Sequence, residues 1–351
     1  MQKGVVSMVR IGLLGCGFLA TFYMQGLSEV PNQQVTVVYG RDKNKAAAFA
    51  AHWNIPQSTD DMDALAASPD VDLVIIALPN HIHLEATLVA TRHKKHVVCT
   101  KPLGRNAEEA RKMLEAVQQT GVLHGYGETE VFSPAVVRAK TLIDEGSIGR
   151  VLTVRSREAH AGPHAPHFWD VNQSGGGALL DMGCHTIEAA RYFIGKGVKP
   201  VEILAWGDTM VHSDKTTGDD NAIALLRFEN GALAQSELSW TARGSLDLRN
   251  EVYGTEGSIF TDVTRSTPIN AFVRGTSSYL LEKAESNSGW IFPLPDEARV
   301  YGYHEEMKHF VECVARGETP RETFEDGLIV NTILDAAYRS IREHRWVTIE
   351  L

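Results

Sequence analysis

The run Gly15-Cys16-Gly17-Phe18-Leu19-Ala20 follows directly on the apolar stretch Val9–Leu14. Glycine at its first position permits a turn too tight for a side chain, and glycine at its third lets another group approach the backbone. Alanine at the sixth lets a helix pack closely on the strand. Such a string demands a strand–turn–helix start, and the next hundred residues keep up the alternation. Apolar runs recur at Val35–Tyr39, Val71–Leu78, His96–Thr100 and Val122–Tyr126, with helical stretches over Phe18–Ser28, Asp42–His52, His81–His93 and Asn106–Gln119. Near-continuous apolar strands separated by helices imply a parallel sheet covered on both faces. Residues 1–127 therefore read as an α/β, doubly wound domain of Rossmann type.

Beyond residue 127 the texture changes. A helix is expected over Pro134–Asp144, then period-two strands at Val151–Glu158, Val201–Val211, Ala222–Phe228, Ala232–Trp240 and Ser245–Tyr253. Asn230-Gly231 sits between two of them as a hairpin turn. Two late helices, near His304–Ala315 and Phe324–His344, precede a last strand at Trp346–Ile349. Residues 128–351 thus read as a second, α+β domain with a large, mostly antiparallel open sheet. A chain of 351 residues is too long for one comfortable core and suits this division.

A formal charge of −10 argues against nucleic acid or an anionic membrane as the main partner, since both need a basic surface. Leu13-Leu14-Gly15-Cys16 looks like a lipoprotein cleavage box, but the apolar run after Arg10 is far shorter than a signal segment of about 7–15 residues. A buried strand is the better reading. No run of about 18 apolar residues is present, so no membrane span is expected. Cys16, Cys99, Cys184 and Cys313 are scattered without a C-x-x-C pair, which fits a reduced, cytoplasmic chain better than a disulfide scaffold or a zinc site.

In its strand-to-helix context the first glycine motif reads as a dinucleotide site, with the helix N-terminus favouring the pyrophosphate charge. NAD enzymes usually end the second strand with a carboxylate for the ribose. Here Gly40-Arg41 stands there, so a 2′-phosphate should be acceptable and NADP usable beside NAD. Arg41 stacking on the adenine, with both cofactors usable, is the alternative.

The second informative stretch is Gly175-Gly176-Gly177-Ala178-Leu179-Leu180-Asp181-Met182-Gly183-Cys184-His185. On a helix starting after Gly177, Asp181 and His185 lie on one face about a turn apart. The glycines would let a ligand approach the backbone. A carboxylate beside an imidazole suits moving a proton on and off an alcohol, and an imidazole titrates near neutral pH.

Taken together, the Gly15–Ala20 motif, Pro79-Asn80 with His83, Thr100-Lys101-Pro102, Asp181 with His185, Asn230-Gly231, Tyr253-Gly254-Thr255-Glu256-Gly257 and Ala337-Tyr338-Arg339-Ser340 resemble the glucose-fructose oxidoreductase/inositol dehydrogenase/rhizopine-catabolism (Gfo/Idh/MocA) family. The resemblance covers nearly the whole chain. It implies an NAD(P)-dependent oxidoreductase acting on a ring hydroxyl of a sugar, polyol or glycoside. It implies Lys101 beside the nicotinamide and the reacting hydroxyl, Pro102 shaping its turn, His185 as proton acceptor and Asp181 orienting the substrate. It also implies that Pro79, Asn80 and His83 line the cofactor groove, and that the chain forms a homodimer or homotetramer. One departure stands out: the glutamate that precedes the lysine in the family, and commonly touches the nicotinamide ribose, is Thr100 here. Its hydroxyl can still bond the ribose, but an anion is lost beside Lys101, which disfavours the charged ammonium.

Arg157 to Asp170 holds His160, His164 and His167 among two prolines and a glycine, so it reads as a loop. No metal is expected there; recognition of sugar hydroxyls by His160 and His164, with Trp169 stacking on a ring, is the better reading, and plain packing the duller one. Arg157 and Arg243 would add a place for an acidic substituent unless they are surface arginines. Two other functions stay open: a redox-assisted glycosidase that oxidises C3 transiently with bound NAD, and a non-catalytic nicotinamide sensor.

Overall fold

Strand β1 (Val9–Leu14) leads through Gly15 into helix α1 (Phe18–Leu27), and the alternation continues through β2 (Gln33–Tyr39), α2 (Lys43–Trp53), β3 (Gln57–Thr59), α3 (Met62–Ala67), β4 (Leu73–Ile76), α4 (His83–Arg92), β5 (His96–Thr100), α5 (Ala107–Thr120) and β6 (His124–Gly127). The computed structural model describes residues 8–244, 246–264, 269, 271–275, 288–294 and 296–351. The six strands form one parallel sheet in the order β3-β2-β1-β4-β5-β6. The order reverses direction between β1 and β4, the point where open α/β sheets take ligands at the carboxyl ends of their strands. Helix starts follow capping chemistry: Asp42, Asp61 and Asn106 each accept hydrogen bonds from first-turn N–H groups of α2, α3 and α5. The pair β3 and α3 is absent from the sequence expectation, because three residues of strand are too short for a periodic signal.

The rest of the chain contributes α6 (Pro134–Asp144), β7 (Val151–Ala159), α7 (Val171–Ser174), α8 (Ala178–Ile194), β8 (Pro200–Asp208), β9 (Asn221–Phe228), β10 (Leu233–Ser239), β11 (Asp247–Gly254), β12 (Ser258–Asp262), β13 (Ala271–Val273), β14 (Gly289–Ile291), α9 (Glu297–Tyr301), α10 (Tyr303–Arg316), α11 (Phe324–Glu343) and β15 (Val347–Thr348). Ser245, the expected start of the β11 strand, lies outside the described residues. The large sheet runs β12-β11-β7-β10-β9-β8-β15 and is antiparallel except for β7 beside β10. In the β9–β10 hairpin only Gly231 takes a positive φ, +85°, while the Asn230 side chain accepts from Ala232 N–H at 3.0 Å. Helix α8 lies on one face of this sheet, over β7, β9 and β10. Inward side chains there form a buried polar chain: Ser156 Oγ donates to Asn250 at 2.6 Å, and Asn250 Nδ2 donates to Glu130 at 2.8 Å.

The chain divides into two units, Met1–Glu128 with Tyr303–Leu328, and Thr129–Gly302 with Ile329–Leu351. Assigning everything after residue 127 to the second domain is therefore corrected for 303–328. Helix α10 packs along α1. The Tyr303 ring stacks on Phe22 at 4.8 Å, and a Cβ at Gly26 would meet Tyr303 O at 2.5 Å. The Phe310 ring fills the space over Gly125, where a Cβ would come within 2.3 Å of it. Burying one such ring is worth about 1.5–3 kcal/mol, which explains why a late helix returns to the first sheet. No described helix is long and apolar enough to cross a membrane.

Candidate active site

In the first unit, Gly15 has φ +126°, and a Cβ there would sit 2.3 Å from Ala77 O, so the turn after β1 accepts glycine alone. Gly17 differs: nothing among the described residues lies within 4 Å of its Cβ position. It is the N-cap of α1, where no described side chain caps the helix and the first turn has no acidic residue. Amide N–H groups there face an open approach, which fits a pyrophosphate. Ala20 is fully buried against the strand, Leu19 is half-buried and Phe18 is exposed, its ring edge-on to Phe22. A Cβ at Gly40 would meet Cys16 Sγ at 2.6 Å. Arg41 is exposed, and the next residue, Asp42, spends its carboxylate on Asn44 and Lys45 N–H groups at 2.9 and 3.2 Å.

Pro79 is half-buried and Asn80 buried in the turn after β4. His83 does not line a groove, contrary to the expectation for it. It is 0% exposed, with Nε2 2.8 Å from Leu78 O and Nδ1 3.0 and 3.2 Å from Pro102 O and Leu103 O. Burial pushes its pKa down and the three carbonyls, all acceptors, oppose this; a neutral ring donates to one side only, a protonated ring to both. It ties the turn after β4 to the turn that carries Lys101. That turn leaves the sheet through a cis Lys101–Pro102 peptide. Thr100 is buried beside the Tyr23 phenol, which burial and the nearby Glu306 and Glu128 carboxylates push well above its ordinary value. Sequence reading missed Tyr23 and Glu128, since neither belongs to a motif.

In the second unit, α8 carries Asp181, buried, and His185, half-buried, at i and i+4 on one face. Trp240, wholly buried, donates its indole N–H to Asp181 Oδ2 at 3.1 Å. The Trp240 ring meets Trp169 at 5.3 Å, and Trp169 meets His212 at 5.0 Å, with Lys215 Nζ 5.1 Å from the Trp169 centroid. His212 Nε2 lies 3.2 Å from Trp240 O. This aromatic wall fixes the carboxylate, and the wall has no signal in sequence because Trp240 sits 59 positions from Asp181.

The glycines before α8 serve a different end from the one expected. A Cβ at Gly177 would stand 2.0 Å from Asp219 O, and one at Gly176 would stand 2.3 Å from the Tyr338 hydroxyl. They make room for protein, not ligand. Asp219 caps the helix: its backbone O accepts from Ala178 N–H at 2.8 Å, and its carboxyl accepts from Leu179 N–H at 2.7 Å and from the Tyr338 hydroxyl at 2.9 Å. Burial pushes the Asp219 carboxyl above its ordinary value despite these donors.

Among the loop residues, His160 is buried and its Nδ1 accepts from Gly162 N–H at 3.0 Å, leaving the hydrogen on Nε2. His164 is exposed, and Trp169 is half-buried with its indole edge over Gly162. Arg243 is exposed in the turn after β10. Arg157 is a correction. Strand alternation sends Val154, Ser156 and Glu158 toward the α8 side and Arg157 to the opposite face, where it pairs with Glu237 and with Asp247 at 2.9 Å. It is not beside Asp181 and His185.

Residues 9–128 match the oxidoreductase-family model described as an NAD-binding Rossmann fold, and residues 136–260 match a GFO/IDH/MocA C-terminal domain. The chain is 29% identical to levoglucosan dehydrogenase of Pseudarthrobacter phenanthrenivorans, over 97% of this chain and 98% of that one. It is also 29% identical to myo-inositol 2-dehydrogenase of Thermotoga maritima, over 97% and 99%. The solved structure of GenD2 from gentamicin A biosynthesis in complex with NAD superposes with a TM-score of 0.92 at 27% identity, over 98% of this chain and 97% of that one. Two matched domains, a nucleotide-binding sheet and a mixed sheet carrying the Asp181–His185 helix make this chain a member of the Gfo/Idh/MocA family of NAD(P)-dependent sugar and polyol oxidoreductases.

Proposed function

We propose that the protein interconverts a ring hydroxyl and a ketone on a sugar, polyol or glycoside, with Lys101, Asp181 and His185 as its catalytic groups. The observation that carries the reading is the Asp181 carboxylate, buried and fixed by the Trp240 indole one helical turn before His185. A nicotinamide, when bound, accepts or returns the hydride. Gly15, Gly17, Phe18 and Leu19 hold its pyrophosphate, and Pro79, Asn80 and Thr100 flank it. His185 takes the hydroxyl proton as the C–H bond weakens, and the Lys101 ammonium stabilises the alkoxide that develops. Asp181 holds the substrate hydroxyls in register. Trp169 offers a ring face, and His160 and His164 offer donors to the remaining hydroxyls.

Arg41 is exposed and Asp42 is committed to its helix, which supports use of NADP beside NAD. With Arg157 paired on the far face, an acidic substituent would rest on Arg243. The four cysteines, none of them in a disulfide, suit a reducing compartment.

A panel of levoglucosan, myo-inositol, aldoses and aryl glycosides, assayed with NAD and NADP for both reduced nicotinamide and released aglycone, tests the reading. Lys101→Ala and His185→Ala are each expected to lower turnover at least about 100-fold with NADH binding kept. Near-normal rates in both overturn the assignment. Aglycone release without net reduced nicotinamide replaces it with redox-neutral glycoside cleavage.

A further inference from the structure

The loop 209–218, between β8 and β9, is shaped by one buried carboxylate. Asp220 is 0% exposed and accepts from the Met210, Val211 and His212 N–H groups at 2.8, 2.7 and 2.7 Å. Its backbone O accepts from Trp240 N–H at 2.8 Å, so the residue that holds the loop also holds the tryptophan bonded to Asp181. His212 O accepts from the Lys215 and Thr216 N–H groups at 2.9 and 3.0 Å, closing a turn that brings Lys215 back over Trp169. The loop is thus set before any ligand arrives, which lowers the ordering cost of binding.

Three groups with complementary chemistry meet there. Trp169 is half-buried and presents an aromatic platform, whereas Trp240 is 0% exposed and has no face to offer. His212 puts Nε2 3.2 Å from Trp240 O, so the neutral ring carries its hydrogen on Nε2 and keeps Nδ1 as an acceptor. No described residue bonds to Nδ1, and it is not walled off from solvent. Lys215 is exposed, with its ammonium 5.1 Å from the Trp169 centroid and no described carboxylate within ion-pair distance. A cation over an aromatic face is weakly held at an exposed site, so a ligand ring can take the platform while the ammonium moves to its edge. An apolar face rimmed by one acceptor and one charged donor suits a polyhydroxylated ring, whose C–H face stacks while its hydroxyls both give and take hydrogen bonds.

Trp240 reaches Asp181 with its indole N–H and Trp169 with its ring at 5.3 Å, so the platform stands one indole away from the carboxylate. A ring whose hydroxyls bond Asp181 leaves the platform to whatever is joined to it. We propose that Trp169, His212 and Lys215 form a second-ring subsite, and that the substrate is a glycoside whose aglycone is itself a polyhydroxylated ring, a second sugar or a cyclitol. This rests on the functional reading above for the role of Asp181, and it narrows the substrates which that reading allows. His212 and Lys215 are then specificity-determining residues: the one accepts from, and the other donates to, the ring that does not react.

Calorimetric titration with NADH present compares maltose, cellobiose, sucrose and trehalose with methyl α- and β-glucopyranoside as one-ring controls. At least one two-ring sugar is expected to bind about tenfold tighter than the methyl glycosides, the size of effect that one added charge-assisted hydrogen bond produces. Lys215→Met keeps the aliphatic stem and removes the charge, while His212→Phe keeps a ring edge on Trp169 and removes Nδ1. Each should bring the ratio of two-ring to one-ring affinity toward unity. Lys215 is exposed, so Lys215→Met carries the test alone should His212→Phe fail to fold. Equal constants for one and two rings in the wild type, absence of binding by both included, overturn the subsite, as does a ratio unmoved in Lys215→Met. The readout needs no turnover. One-ring sugars oxidised without a two-ring preference would sink the subsite and spare the functional reading; a two-ring preference without any oxidation would do the reverse.

Discussion

Gly177→Ala is the sharpest perturbation the structure offers. The added methyl would lie 2.0 Å from Asp219 O, 2.5 Å from its N and 2.8 Å from its carbonyl carbon, all backbone atoms that cannot rotate away. Gly177 itself has φ −98°, open to any residue, so the cost is collision and not backbone strain. Displacing Asp219 removes three hydrogen bonds, from Ala178 N–H, Leu179 N–H and the Tyr338 hydroxyl. At about 1 kcal/mol each the loss is about 3 kcal/mol, or roughly 6–12 °C in melting temperature for a unit of this size. Asp181 lies one turn into the helix that Asp219 caps, so turnover should fall with stability. Gly176→Ala meets the Tyr338 hydroxyl, and adding Tyr338→Phe should restore part of its loss; no side-chain truncation can relieve Gly177→Ala. Differential scanning fluorimetry of the single and double variants measures both. A Gly177→Ala protein that melts within 1 °C of wild type and shows only a raised KM would mean that the glycine serves the ligand, and the reasoning would be wrong.

Burial, with Arg321 nearby, pushes the His309 imidazole down to about 4. The unfolded chain therefore binds this proton first as pH falls, and the folded state loses stability from about pH 6.5 down to about 4; melting curves across that range should flatten in His309→Gln. Trp206 and Ile223 are exposed and paired across β8 and β9 on the sheet face away from α8, which suits a homodimer or homotetramer built on that face. Trp206→Glu with Ile223→Lys should give monomers by light scattering, and an unchanged mass would remove that face from the assembly. Arg41→Ala should lower kcat/KM with NADP about tenfold and leave NAD within twofold, as loss of one charge-assisted contact to a phosphate requires; equal losses with both cofactors would reduce Arg41 to an adenine contact.

The parallel sheet was legible because its longer strands are rich in apolar residues and α2 and α5 carry their own caps, both of which are local properties. The tight turn at Gly15 and the uncrowded backbone at Gly17 were legible for the same reason, and so was the shared face of Asp181 and His185, which needs only the helical repeat. What sequence could not disclose depends on distant partners. Gly176 and Gly177 look like a ligand floor until Tyr338 and Asp219 are seen against them. His83 and Arg157 have the chemistry of site residues, but three carbonyls enclose the one and two carboxylates hold the other on the wrong side of a sheet. A shift of one residue in strand alternation decides such a question, and no local pattern reports it.

The return of residues 303–328 to the first sheet bears on how the protein is made. A ribosome that has released residues 1–128 has released six strands whose α1 flank still lacks Tyr303 and Phe310. Until nearly the whole polypeptide has emerged, that greasy flank stays bare, so the nucleotide half should ripen last although it is translated first. Cutting the chain at residue 128 to obtain a minimal NAD-binding fragment should yield a sticky, half-finished product.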